Sequence, residues 1–407
     1  MRLTIFLLLF GFSLSLAITL QEAVALAIKN NVSTRLSLLD VQRAEEGIRR
    51  ARAGILPQVS FSYSYTRLGG ELAFGFTPKN RHSYVIELDQ RLFSPAVLES
   101  IKLSKEEKEL QSLIYEDVVR EVAFQTKQLF YALLYKREVV RLLEENSRYW
   151  EEYYKQVEGK FKGGILPKVE LMRAKAQLEG SKAELEGAKT DYQKGLEDFK
   201  RFIGYEGSLE LEGELKYVEY QEEDYERLLL ERNTSIRVAK KSLEVLQSAL
   251  ELQKAQYYPS LEAFATYQGS TARFGGSEKT IEGYTLGLRL NHTIFDGFLR
   301  EASIAQARID MLKQVERLRD VEKGQRAELF KVLLDIKSLK EQIKAAELNL
   351  EASKEALRLS TERYKHGIAT QLEVLDAVNN YNNALKNYYY LLYLYKTSLA
   401  RLERLTQ

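Results

Sequence analysis

The chain has 407 residues, carries 60 Lys+Arg against 58 Asp+Glu, and contains no cysteine. Balanced charge removes the basic footprint of a nucleic-acid partner, and the missing cysteines rule out a disulfide framework, a Cys-ligated zinc and a Cys nucleophile. His82, His292 and His366 are scattered without metal-ligand spacing, and only five prolines occur, which leaves 96–166, 168–258 and 260–407 open to very long helices.

Met1–Ala17 reads as a secretory signal peptide: Arg2, an apolar stretch, then Ser15-Leu16-Ala17 as a small-x-small cleavage site. Cleavage would leave a chain beginning at Ile18, with no cysteine to carry a lipid anchor. Beyond it no stretch approaches the roughly 20 apolar residues of a spanning helix; Tyr388–Tyr395 is far too short. An exported chain of this kind can enter a membrane only by strands.

From Leu20 the chain is Ala-rich and Pro-free to Gly54, just before Pro57, which predicts one helix with a normal C-terminal stop. Val59–Thr66 alternates aromatics with hydroxyls, predicting a strand at about 58–67. His82–Phe93 sets Tyr84, Ile86, Leu88 and Leu92 against Ser83, Glu87, Asp89 and Arg91, predicting a second at 82–93. A long helix over 96–162 and a return helix over 167–203 complete a first unit, 18–204. After a segment at 205–224, a second unit over 225–407 repeats the order: helix, strands at about 260–268 and 283–295, long helix 298–365, return helix 370–405. Only 260–268 alternates ambiguously. The Gly-rich stretches 67–81 and 268–283 read as exposed loops.

The two units align at an offset of 202–203 residues. Leu56-Pro57-Gln58-Val59 matches Tyr258-Pro259-Ser260-Leu261, and Leu92-Phe93-Ser94-Pro95 matches Ile294-Phe295-Asp296-Gly297. Phe161-Lys162-Gly163-Gly164-Ile165 matches Tyr364-Lys365-His366-Gly367-Ile368. Three matches in order across helix, strand and turn mark a tandem duplication.

The alternating runs suit a membrane barrel with a wet lumen, and equally a soluble sheet with one buried face. Export without a spanning helix favours the barrel. Four strands cannot close one, since about eight are the minimum, so several chains must contribute; three copies give twelve.

The long helix over 298–365 would reach roughly 100 Å. Leu329, Ile336, Ile343, Leu350, Leu357 and Tyr364 fall seven apart, with Val332, Leu339, Ala346, Ser353 and Ser360 three positions later. That spacing imposes left-handed supercoiling. Leu133, Val140, Ser147, Tyr154 and Phe161 repeat it less cleanly in the first unit. Each unit is thus a long antiparallel hairpin, and a closed assembly with strands at one end and helical turns at the other would be a tube.

Leu20–Asn30 (LQEAVALAIKN) and Arg363–Ala377 (RYKHGIATQLEVLDA) resemble the outer membrane efflux proteins over essentially the whole mature chain. The family commonly has proline where Asn31 stands. The resemblance implies a mainly α fold with a membrane β-barrel part. Two tandem repeats of coiled-coil-like hairpins would form a periplasmic α-barrel, and four strands per chain would complete a twelve-stranded trimeric β-barrel. It implies a homotrimer in outer-membrane lipid, serving as the exit duct of a tripartite efflux or type I secretion system. Its partners would be a periplasmic adaptor and an inner-membrane pump, with no cofactor, metal or nucleic acid. Segment 205–224 would join the C-terminal residues in a girdle. By the same resemblance Glu373, Asp376 and Glu170 line an acidic entrance, and Tyr364 and Arg173 lock it. The turns Gly163-Gly164-Ile165-Leu166 and Gly367-Ile368-Ala369 would meet the adaptor. Ala369 occupies the family's entrance-arginine position, so any lock here is weaker or uses other pairs.

Glu373 and Asp376 share a helix face, and three copies would bring up to nine carboxylates around one axis. Crowding of that kind raises some carboxylate pKa values and attracts cations. Helix-start acids favoured by the dipole are the plain alternative. No phosphate loop, dinucleotide fingerprint or nucleophile–base set argues for an enzyme. The rival function is an exported coiled-coil adaptor or scaffold without a membrane barrel.

Overall fold

A computed structural model describes residues 16–72, 77–274 and 276–407. Residues 1–15 of the expected signal peptide, and 73–76 of the first expected loop, lie outside them. The elements in chain order are β1 (Leu16–Ile18), α1 (Leu20–Asn30), α2 (Val32–Ala53), β2 (Gln58–Arg67), β3 (Asn80–Phe93), α3 (Pro95–Lys162) and α4 (Lys168–Ile203). The second half adds β4 (Leu209–Leu211), α5 (Tyr225–Arg232), α6 (Thr234–Ala255), β5 (Ser260–Phe274), β6 (Ser277–Asn291), α7 (Leu299–Lys365) and α8 (Gln371–Thr406). They form two compact units, each drawing on both repeats. One holds the described part of Met1–Leu36 with Glu116–Thr234 and Glu322–Gln407, the other Ser37–Tyr115 with Ser235–Val321.

The helix expected over 20–54 is two helices, because the backbone breaks at Asn31 (φ −61, ψ 136). That φ is the value proline imposes, so asparagine reproduces the break without the ring. The Asn31 amide donates to the Phe202 carbonyl at 3.0 Å, tying the break to the end of α4. The second repeat does the same: Asn233 (φ −57, ψ 119) separates α5 from α6 and donates to the Leu405 carbonyl at 3.0 Å. Each asparagine satisfies a carbonyl that a helix C-terminus would leave open. At the end of α4, Gly204 adopts φ +66, and a Cβ there would lie 2.6 Å from that of Asn30.

In the compact unit that holds Glu116–Thr234, β1 pairs parallel with β4, joining Leu16–Ile18 to the inter-repeat segment. Tyr217 of that segment stacks on Tyr395 of α8 at 5.2 Å, and the Tyr395 hydroxyl donates to the Val218 carbonyl at 2.9 Å. The seven-residue rows of α7 are its inner face. Leu329, Val332, Ile336, Leu339, Ile343 and Ala346 are buried, while Leu350, Leu357 and Tyr364 are partly so. Both long helices end alike. Gly164 and Gly367 take φ +72, and Ile165 and Ile368 donate back to Lys160 and Arg363 carbonyls at 2.9 Å. This closure needs a left-handed residue, which glycine adopts without steric cost.

The compact unit of Ser37–Tyr115 and Ser235–Val321 carries a four-stranded sheet in the order β2-β3-β5-β6, antiparallel throughout. The ambiguous segment at 260–268 is a full strand to Phe274, and strand pairing takes up most of the loop expected over 268–283, of which residue 275 lies outside the described residues. Thr271–Phe274 pair with Ser277–Thr280, and Arg273 reaches Glu278 across the strands at 3.1 Å. The strand expected to reach 295 stops at Asn291. Gly297 and Phe298 then both take φ +69 to lead into α7, anchored by the Arg300–Asp296 ion pair at 2.7 Å.

Candidate functional site

Two features are candidates for function: one face of the sheet, and the turn end of the hairpins. Strand alternation and register assign the first. Val59, Phe61 and Tyr63 pair with Leu88, Ile86 and Tyr84; these meet Ala265, Tyr267 and Gly269, beyond which stand Leu286, Tyr284 and Glu282. Successive residues face opposite sides, so the apolar rows lie together and Ser60, Ser62, Glu87, Thr266 and Thr285 form the other face. The apolar side is bare: Phe61 is 69% exposed, Tyr284 77%, Leu286 69% and Leu288 68%. Tyr63, Tyr84, Tyr267 and Tyr284 lie in two adjacent rows of it; Phe93, the last residue of β3, and Phe295, beyond β6, are exposed toward the other end. β6 over its whole length, Ser277–Asn291, at about 3.3 Å per residue and a tilt near 40° rises about 35 Å, enough to span the apolar band of about 25 Å of an outer-membrane barrel. The outer edges of β2 and β6 have no strand partner among the described residues. No helix among them is long and apolar enough to cross a membrane.

At the turn end, Glu373 is the third helical residue of α8 and closes a capping box with Thr370. Its carboxylate accepts from the Thr370 amide at 3.2 Å and hydroxyl at 3.1 Å, and its own amide donates to that hydroxyl at 3.3 Å. These bonds, then Arg363 at 3.7 Å, hold its carboxyl below the ordinary range. The dipole-favoured helix-start reading of Glu373 is therefore its role within one chain, and the Thr370-x-x-Glu373 spacing already spelled it. Asp376 joins Glu373 along a polar groove of about 770 Å³ beside Ser353, Ser360, Asn380 and Asn383.

Glu170 and Arg173 do not share that groove. They pair with each other at 3.0 Å on the first turns of α4 and line a separate cavity with Trp150 and Tyr153. Tyr364 packs against the cluster of Trp150, Tyr153, Val157, Ala174, Leu178, Val374 and Val378, with the Lys160 ammonium 5.6 Å from its ring centre. Burial and the neighbouring Tyr364 push the Tyr149 phenol up to about 12. Of the tip residues, Gly163, Gly164, Gly367 and Ala369 are backbone of the turns, while Ile165 and Ile368 project outward, 74% and 68% exposed. Leu166 turns inward onto the same cluster. Sequence reasoning missed Trp150, Tyr149, Lys160 and Arg363, since only packing brings them to Tyr364 and Glu373.

A duplicated chain of helical hairpins, with strands that bare an apolar face and two open edges, defines a class: α-helical channel proteins with a shared barrel part. The outer membrane efflux protein family matches residues 23–205 and 227–406, one match per repeat, and the chain belongs to that family. It is thus an outer-membrane protein of a channel family rather than an enzyme family. It is 22% identical to the outer membrane protein TolC of Escherichia coli K12 over 394 residues, 92% of this chain and 79% of that protein. Among solved structures, the outer membrane channel CmeC of Campylobacter jejuni superposes with a TM-score of 0.77 at 18% identity, covering 95% of this chain and 85% of that one. The open state of the Neisseria gonorrhoeae MtrE channel superposes with a TM-score of 0.79 at 20% identity, over 95% and 88% of the two chains.

Proposed function

We propose that three copies assemble into a duct across the outer membrane and periplasm, the exit component of a tripartite efflux or type I secretion system. The observation that carries this reading is the sheet. Two open edges and a bare apolar face are incompatible with a lone chain in water, and in lipid every backbone group must be paired. Three four-stranded sheets joined edge to edge satisfy both conditions with twelve strands. Exposed Phe330, Leu334, Leu348 and Leu372 on α7 and α8 supply apolar surface for neighbouring copies. The acidic pair Glu373 and Asp376 forms the entrance ring, Glu170 adds to it from its own cavity, where it is paired with Arg173, and Tyr364 and Arg173 restrain it. Arg363, beside Glu373, serves where Ala369 replaces the family's arginine. The tips at Ile165 and Ile368 receive the periplasmic adaptor, which links the duct to an inner-membrane pump.

The test is planar-bilayer conductance of the purified oligomer under a salt gradient. Discrete cation-selective channels are expected, blocked by multivalent cations, with reversal potential moving toward zero in the Glu373→Ala/Asp376→Ala double variant. A protein that never inserts restores the scaffold reading. Insertion with unchanged selectivity in the variant removes the acidic ring from the conduction path.

A further inference from the structure

We infer that the connector between β6 and α7 is a membrane anchor in its own right. It holds apolar side chains in the phospholipid leaflet at the end of the sheet where strands run into helices, a role that rests on reading this sheet as lipid-borne. β6 ends at Asn291 and α7 begins at Leu299. Across the join Ile294 is 88% exposed, Phe295 71%, Phe298 68% and Leu299 66%, and the Phe295 and Phe298 rings meet edge to face at 5.5 Å. Single exposed apolar residues are ordinary, but four within six positions form a patch that calls for a partner. Leu290, on the apolar row of β6, leads into it, so the patch continues the bare face of the sheet.

Phe298 takes φ +69 and is the one non-glycine residue with positive φ among those described. A bulky side chain is disfavoured there, and such a conformation persists only where its surroundings enforce it. Here the Asp296 carboxylate accepts from the Arg300 guanidinium at 2.7 Å, and that guanidinium lies 4.5 Å from the Tyr257 ring centre. Both charged side chains are largely buried, so the turn is pinned from inside while its apolar residues stay exposed. The first repeat shows that the fold does not need this arrangement. There β3 runs to Phe93 and α3 starts at Pro95, with Ser94 alone between them. The duplication offset sets Ala96 of α3 against Phe298, so a small helical residue stands where the second repeat holds an exposed ring.

Two observations select lipid over a second copy of the chain. His292–Phe298 contains no lysine or arginine, and its one acid is already paired with Arg300, so no unpaired carboxylate or ammonium has to leave water. Among the described residues, His292–Gly297 also make no backbone–backbone hydrogen bonds. A dry protein contact would have to supply partners for all of these groups. The headgroup layer supplies water to the backbone while the side chains dip into the acyl boundary.

A tryptophan on the connector tests this. Trp150, the chain's only tryptophan, is buried, so wild type gives the baseline emission. Full-length Phe298→Trp and Ile294→Trp are reconstituted in phosphatidylethanolamine/phosphatidylglycerol vesicles, with or without phosphatidylcholine brominated near the headgroup or near the chain ends. Ile294 lies outside the left-handed region, so its variant reports even where tryptophan disturbs the turn at Phe298. Emission above the baseline should fall about twofold or more with bromine near the headgroup, and less with bromine near the chain ends. Vesicle flotation is followed alongside. Protein that floats while both new tryptophans stay unquenched by bromine overturns the anchor and leaves the barrel standing. Quenching by aqueous acrylamide would then put the connector in water, and protection from both quenchers would put it against a second copy. Protein that does not float with the vesicles sinks the anchor and the lipid-borne sheet together.

Discussion

Leu288→Arg tests the assignment of the sheet's bare face to lipid. Leu288 lies on the apolar side of β6, opposite Ala263, and is 68% exposed. Full burial of a leucine stabilises by about 1.5–3 kcal/mol, so roughly two-thirds of that, about 1–2 kcal/mol, must come from whatever covers this face. Four residues past Tyr284 and three before β6 ends at Asn291, Leu288 lies within the apolar run of that strand. An arginine on the lipid face near the midplane costs about 2–4 kcal/mol, and three copies multiply the effect in an assembled barrel. Thr285→Arg, three residues away on the opposite face, should change stability by no more than about 0.5 kcal/mol. The assay is guanidinium unfolding of protein reconstituted in vesicles, comparing both variants with wild type. If Leu288→Arg unfolds at the wild-type midpoint, or if Thr285→Arg is the more damaging, the face does not meet lipid and the barrel argument fails.

Two further predictions concern the helices. Ile336 is fully buried on the seven-residue seam of α7, so Ile336→Ala should cost about 2–5 kcal/mol, read as a lower denaturant midpoint. Phe330→Ala, at a position 64% exposed, should cost little within a chain and instead shift the sedimentation profile from oligomer toward monomer. The second concerns pH. The carboxyl of Glu373 is held below its ordinary value of 4.5 by the Thr370 bonds and Arg363. A lowered folded pKa gives a contribution present above the ordinary value and lost as pH falls through the folded one. Pepsin cleavage beside exposed Leu372 should therefore rise as pH falls below about 4.5. With each rate scaled to pepsin's rate on an unfolded reference peptide at the same pH, cutting of Glu373→Gln at this site should show no further rise across this window, while the wild type does. Matching pH profiles for the two proteins would separate the cap from the stability of this turn.

Much of the candidate site was legible as position and little as partnership. The spacing of Glu373 and Asp376 put them on one face, and the structure sets both on one groove. Glu170 looked equivalent by repeat, yet it faces a different cavity and is paired with Arg173. Nothing along α4 says which neighbour its first turn will pack against. The helix break at Asn31 was hidden for a similar reason. Asparagine tolerates a helix or a turn, and the choice is made by the Phe202 carbonyl, 171 residues away.

The sequence by itself determined the duplication, the long helices, their inward seams and their glycine turns. These depend on local sterics and on a periodicity that one helix expresses alone. The alternation of β2, β3 and β6 was fixed in the same way, since the face of a strand residue follows from its parity. Only the tertiary structure decided that β3 pairs with β5, uniting the repeats in one sheet, and that the second hairpin stays paired as far as Phe274 and Ser277. Strand pairing is a contest between distant partners of similar propensity, and cross-strand contacts between side chains decide it.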